Sequence, residues 1–337
     1  MTLRAVACAL LAITSLACLA PASGPAIVRN GRPAMGTLLE ITVIAADRER
    51  AQTLVDECYA RVAALEAHVS SWDARSDISQ LNRAAGDGWI PVAPETVELL
   101  EAARGYAGAT SGVFDVSVGP LLSLWREAEA TGRPPDTAAL EHARRAIGAE
   151  RIQVEAGTSA ALPGRAKLAP GMAIDLGGIA KGWALDRVGS WLRAQGVEHA
   201  LLNFGGSSLL AMGSPPGETG WRVGIAARGK GTGVLVFSDT HVSISESFGQ
   251  FREVGDQRVS HVIDPRTGEP IPREALAIAV GGSGATTEAW STALLVLGEA
   301  GIPAALGAGL EVLVMSDSGT SRTAGFPTLV WRGAPGQ

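Results

Sequence analysis

The 337-residue sequence predicts a mixed α/β fold, α+β in type, with a helix-rich N-terminal half and a strand-rich C-terminal half. Two observations carry this. Apolar residues recur at helical spacing in the stretches up to about Gly148, and from Arg151 onward the chain turns into short β-rich runs divided by Gly, Pro and Asp. At 46% hydrophobic residues the chain is long enough to bury a substantial core. No internal repeat breaks the pattern.

The elements follow in chain order. Met1 to Arg4 carries one positive charge and Ala5 to Ala20 is apolar, the layout of an export signal. Ala20-Pro21-Ala22 suits signal peptidase, and Ser15-Leu16-Ala17-Cys18 is an imperfect lipoprotein box in which Cys18 would be acylated. A permanent membrane helix is the alternative, but the run is near the lower length limit and ends in the Pro/Gly-rich break Pro21 to Pro25. We therefore expect a leader over 1–22 and one folded unit over 27–335, in an exported, periplasmic protein that is either soluble or anchored to the inner membrane through Cys18.

Ala34 to Ala45 reads as an opening strand with Leu39, Ile41 and Val43 inward, followed by an amphipathic helix from Arg48 to His68. Ser70 to Asp77 is a polar loop. Pro94 starts a second helix, and a third begins near Asp136 and stops at Gly148. Strands are expected at Arg151–Val154, Met172–Asp175, Ala200–Asn203, Trp221–Ala226, Val234–Ser238, Val242–Ser245, Val259–Ile263 and Leu276–Val280. Helices at Ile179–Gln195 and Thr286–Leu297, closed by Gly196 and Gly298, interrupt them.

The formal net charge of -6 is spread along the chain, so no electrostatic footprint for nucleic acid appears. Of three cysteines, Cys8 and Cys18 lie in the leader, which leaves Cys58 alone on a helical apolar stripe. A disulfide framework and a cysteine-based metal site are thereby excluded.

Four constellations could carry chemistry. Ile174 to Gly182 runs from a strand ending in Asp175 through paired glycines into a helix, where main-chain N–H groups and Lys181 could meet a phosphate. Its glycine spacing fits neither a P-loop nor a dinucleotide fingerprint, and an ordinary tight turn with a solvated lysine would look the same. Asn203-Phe204-Gly205-Gly206 is a second glycine turn at a strand end. In Ser260 to Gly268, His261 has the pKa range of a general base, although a partly buried, hydrogen-bonded histidine at a strand end is the commoner case for such a residue taken alone. Glu288 and Thr292, four apart on a helix, offer a carboxylate and a hydroxyl from one face to a hard cation. Together these point to phosphoryl transfer or pyrophosphate cleavage.

These residues, with Met35-Gly36-Thr37, Ser71-Trp72, Gly112 to Leu121, Asp186, Pro270 and Ser291 to Leu294 in the same order, resemble the FAD:protein FMN transferase family, the ApbE-type flavin transferases. The resemblance spans nearly the whole mature chain. It implies a T-fold-related architecture and an FAD site formed by Met35, Trp72, Phe114, Asp115, Val116, Asp175, Lys181 and Ile263. It also implies a Mg²⁺ ion held by Gly178, Glu288 and Thr292, with His261 as the catalytic base that activates a threonine hydroxyl of an acceptor protein. Such acceptors are flavin-carrying subunits of membrane electron-transport complexes. Glu288 stands where the family has Asp, Ser245-Glu246 where it has Ser-Gly, and Trp72 where tyrosine is common. Hydrolysis of FAD to FMN and AMP, and a non-catalytic flavin-binding role, are the alternatives that these departures keep open.

Overall fold

The computed structural model describes residues 25–157, 163–227 and 231–332. The expected leader, its boundary at residue 22 and the Cys18 anchor lie outside the described residues. Chain order in the first half is β1 (Ala26–Ala34), β2 (Thr37–Ala45), α1 (Arg48–Val69), α2 (Asp77–Arg83), β3 (Ile90–Val92), α3 (Pro94–Ala109), α4 (Gly119–Thr131), α5 (Thr137–Arg145), β4 (Gln153–Glu155) and β5 (Gly164–Lys167). The second half adds α6 (Ala180–Ala194), β6 (His199–Phe204), β7 (Ser208–Met212), β8 (Trp221–Ala227), β9 (Gly231–Phe237), β10 (Thr240–Glu246), β11 (Phe251–Val254), β12 (Gln257–Ser260) and β13 (Leu276–Gly281). It closes with α7 (Gly284–Leu297), α8 (Ile302–Gly307), β14 (Glu311–Ser316), β15 (Gly319–Arg322) and β16 (Leu329–Arg332).

The centre is an eight-stranded antiparallel sheet in the order β1-β2-β6-β7-β10-β13-β14-β15. Strand periodicity decides what each face meets. Along β13, Leu276, Ile278 and Val280 join the three-stranded sheet β16-β9-β8 on one side, whereas Ala277 and Ala279 face the helical side. The small residues on that side let α7 lie close to the sheet, and α7 is buried almost all round, its apolar residues packed in the core and its Glu288 and Ser291 held by hydrogen bonds. Helices α1 and α6 cover β1, β2 and β6, with Leu39, Ile41 and Val43 packed under Leu54, Val55, Cys58 and Val62. Burial pushes the Cys58 thiol up to about 12, so it is an unreactive part of the core.

Several expected elements differ in extent. The single opening strand over Ala34–Ala45 is a hairpin, β1 and β2, whose two-residue turn places Met35 and Gly36 at positive φ. Met172–Asp175 pairs only through Ala173 with Val118, because the Asn82 side chain takes the place of a neighbouring strand: its Nδ2 donates to the Ile174 carbonyl at 2.9 Å and its Oδ1 accepts the Ile174 N–H at 2.7 Å. The expected strand Val259–Ile263 stops at Ser260, whose hydroxyl accepts the Val262 N–H and turns the chain aside. Helices α2, α4 and α8 were not expected.

Candidate functional site

The Asp175–Gly182 turn is built as its sequence suggests. The Asp175 N–H donates to the Val116 carbonyl at 2.8 Å, and Asp175 Oδ1 accepts the Gly177 N–H at 2.9 Å, which reverses the chain into α6. The expectation of open first-turn N–H groups needs correction. The Ala180 N–H donates to the Leu176 carbonyl, and the Gly182 N–H donates to Glu288 Oε2 at 2.8 Å.

Helices α6 and α7 meet backbone to backbone. A Cβ built on Gly182 would lie 2.1 Å from the Gly284 carbonyl oxygen, and one on Gly284 2.3 Å from the Gly182 carbonyl oxygen, so only hydrogen fits at either position. One turn along α6, Asp186 caps α7: its carboxylate accepts the Gly284 N–H at 2.7 Å, the Ala285 N–H at 3.0 Å and the Ser283 hydroxyl at 3.1 Å. Behind it, His241 Nε2 lies 3.2 Å from Asp186 Oδ1, while its buried Nδ1 has no hydrogen-bond partner among the described residues. Burial lowers the His241 pKa; Asp186 opposes this and Arg193 adds to it.

This joint fixes Glu288 against the turn. Its side chain is only 5% exposed, which makes every one of its partners count. Oε2 accepts from Gly182, while Oε1 accepts the Ser208 hydroxyl and lies 3.1 Å from Lys181 Nζ. Lys181 Nζ also donates to the Gly177 carbonyl at 3.3 Å. One turn further along α7, Thr292 Oγ1 lies 3.7 Å from where a Gly178 Cβ would be, and Phe114 lies 3.1 Å from the same point. Among the described residues the Thr292 hydroxyl has no hydrogen-bond partner, and no cluster of three His, Cys, Asp or Glu side chains could hold a metal. What the joint offers a cation is therefore a carboxylate, a hydroxyl and main-chain carbonyls. Such hard oxygen donors fit Mg²⁺ rather than a softer ion.

Of the remaining expected FAD residues, Phe114 and Val116 border this turn directly. Phe114 touches Gly178, and Val116 is hydrogen-bonded to Asp175. The Asp115 carboxylate is already engaged with the Ser117 and Ala149 N–H groups and the Ser117 hydroxyl, so its side chain is taken up in holding the fold. Trp72 is 85% exposed, with the Arg126 guanidinium 5.7 Å from its ring centre and 3.7 Å from Asp175. Met35 sits in the β1–β2 turn beside the second glycine turn, where Thr37 Oγ1 is 2.3 Å from a Cβ built on Gly205 and the Gly205 N–H donates to Leu38. Ile263 packs with Leu121 and Trp125 below the loop that follows His261.

His261 is reached along β10. Ser243 and Ser245 both hydrogen-bond Ser291 on α7, at 2.9 and 2.8 Å; beyond them the Ser247 carbonyl accepts the Ser260 hydroxyl. His261 Nδ1 lies 2.8 Å from the Gln250 carbonyl oxygen. A carbonyl can only accept, so the proton resides on Nδ1 and Nε2 is the basic nitrogen. Burial lowers the His261 pKa; the Gln250 and Ser247 carbonyls and the Glu246 charge oppose this, and Arg252 adds to it. Glu246 thus exerts its field on His261. The Trp125 indole N–H holds the following loop by donating to the Gly268 carbonyl at 2.8 Å.

Sequence reasoning did not single out Ser208, Arg126 or His241. Ser208 is a lone hydroxyl opening the otherwise apolar β7, which was a usable signal; Arg126 looked like any charge on a solvated helix face.

A model of the ApbE family matches residues 35–314. The FAD:protein FMN transferase of Vibrio cholerae is 31% identical over 304 residues, covering 86% of this chain and 87% of that protein. That of Klebsiella pneumoniae is 29% identical over 288 residues, covering 82% and 80%. Among solved structures, the apo form of the Pseudomonas stutzeri flavinyl transferase ApbE superposes with a TM-score of 0.76 at 25% identity, covering 89% of this chain and 95% of its own. The flavin transferase ApbE from Vibrio cholerae gives 0.73 at 25%, covering 89% and 97%.

Proposed function

This chain belongs to the ApbE family, and on that premise we propose that it is an exported, Mg²⁺-dependent transferase that moves the FMN moiety of FAD onto a threonine hydroxyl of an acceptor protein and releases AMP. One observation carries the reading: the glycine turn with Lys181 is docked onto α7 at Glu288 and Thr292, so cationic, carboxylate and hydroxyl groups gather where a diphosphate would lie.

In this reading the exposed Trp72 offers an aromatic face to a planar ring of FAD, Phe114 backs the Gly178 turn from the core, and Lys181 contacts the diphosphate. Glu288, Thr292 and the Gly178 carbonyl would hold Mg²⁺, which when bound offsets charge on the diphosphate and on departing AMP. His261, protonated at Nδ1 by its bond to Gln250, takes the acceptor hydroxyl proton at Nε2. A threonine oxygen-to-phosphorus bond forms, the bond from that phosphorus to the bridging oxygen breaks, and AMP leaves with the oxygen. The acceptor is a flavin-carrying subunit of a membrane electron-transport complex facing the periplasm.

The test is incubation with FAD, Mg²⁺ and an acceptor domain, followed by denaturing electrophoresis. Flavin fluorescence retained on the acceptor supports transfer. Free FMN without a labelled acceptor makes water the nucleophile, and no AMP release by the well-folded chain would make it a flavin-binding protein.

A further inference from the structure

Lys181 holds two oxygens at once. Its ammonium lies 3.1 Å from Glu288 Oε1 and 3.3 Å from the Gly177 carbonyl, and its side chain is 20% exposed against 5% for Glu288. A carboxylate so enclosed needs a counter-charge, and Ser208 and Gly182 supply only neutral donors. The ammonium therefore neutralises the carboxylate that a divalent cation would have to engage. A lysine head is a compact charge on a flexible stem, well suited to changing partners. Its alternative partner is the diphosphate of the proposed substrate.

We propose that Lys181 is a built-in counter-ion for Glu288 which a divalent cation must displace, and that the diphosphate of FAD opens Glu288 to the metal by drawing Lys181 away. The inference rests on the flavin-transferase reading. A divalent ion arriving first would meet an ammonium on its carboxylate; one arriving after FAD meets a bare carboxylate, while Lys181 neutralises phosphate. Diphosphate and metal then bind with positive coupling through one side chain, and the coupling is reciprocal.

The experiment is a Mn²⁺ titration of the folded chain, with free Mn²⁺ read by electron paramagnetic resonance, with and without saturating FAD whose integrity is checked afterwards. In the natural chain FAD should tighten Mn²⁺ binding. Lys181→Met should bind Mn²⁺ about ten-fold more tightly without FAD and gain less from it. Lys181→Gln, which retains a neutral donor, should shift in the same direction and covers the case in which the methionine variant folds poorly. Glu288→Gln should lose the Mn²⁺ site in both conditions. Mn²⁺ affinity without FAD that is unchanged or weaker in both Lys181 variants overturns the proposal, as does a Glu288→Gln protein that binds Mn²⁺ like the natural chain. Quenching of flavin fluorescence without metal judges the flavin reading separately: failure to bind FAD there would sink that reading, whereas the FAD-free titration judges Lys181.

Discussion

Replacing Gly182 by alanine should damage this protein far more than a single methyl suggests. The new Cβ would stand 2.1 Å from the Gly284 carbonyl oxygen and 2.4 Å from its carbon, both main-chain atoms of a buried helix, where ordinary contact begins at 3.4 Å. Helices α6 and α7 would have to part by about 1.3 Å, and overpacking of this kind costs about 1–3 kcal/mol. Separation also breaks the Gly182 N–H bond to the Glu288 carboxylate, about 1.5–3 kcal/mol for a charged acceptor. Alanine's better helix propensity returns about 1 kcal/mol. The net loss is about 1.5–5 kcal/mol, a fall in Tm of roughly 3–20 °C at about 2–4 °C per kcal/mol for a larger domain. Gly189→Ala on the same helix is the control. There the Cβ meets the δ-methyl of Leu210 at 2.4 Å, the end of a side chain that can rotate, so less than half the loss is expected. Thermal unfolding followed by circular dichroism compares the two. If Gly182→Ala melts with the natural chain, or above Gly189→Ala, the account of the helix joint is wrong.

Three further outcomes follow from the site. Trp125→Phe deprives the buried Gly268 carbonyl of its indole donor and should cost about 1–2 kcal/mol in chemical denaturation. It should also lower turnover, because the loop after His261 loses its tether; unchanged stability would argue against that bond. The lowered His261 pKa keeps Nε2 unprotonated at neutral pH, so activity should persist below about pH 6.5 and fall as pH drops through the lowered pKa. His261→Ala should reduce kcat by about 10²- to 10⁴-fold, and an acid limb centred above about pH 6.5 would contradict the assignment. His241 is likewise lowered by burial, against Asp186 and with Arg193, so below about pH 6.5 the unfolded chain binds the proton more readily. Stability is then complete above about pH 6.5 and declines as pH falls below it; His241→Gln should flatten that decline below about pH 6.5, and an equally steep decline in the variant would refute it.

How much was legible in the sequence depended on whether the cause was local. The Asp175–Gly182 turn was readable because one side chain and two glycines determine it, and Glu288 and Thr292 were readable as a pair because helical spacing puts them on one face. The opening hairpin was not, since Met35 is an unusual residue for the first turn position even with Gly36 at the second, and the residues around it read as one continuous strand. Asn82 was hidden for another reason: substituting for a strand beside Ile174 is a tertiary arrangement across 92 residues. The candidate residues could thus be named from the sequence, whereas their mutual contacts could not. Lys181 resting on Glu288, Gly182 donating to it and Ser208 completing it depend on packing alone.

Gly182 and Asp186 sit a single turn apart on α6, and both grip the first residues of α7. The glycine turn and the Glu288–Thr292 face consequently move as one rigid body, and neither can be retuned without disturbing the other. Sequence change is thereby steered away from the two glycines and the cap, to residues that lie outside this joint. A lineage could vary its periphery many times over and inherit the same joint between α6 and α7 throughout.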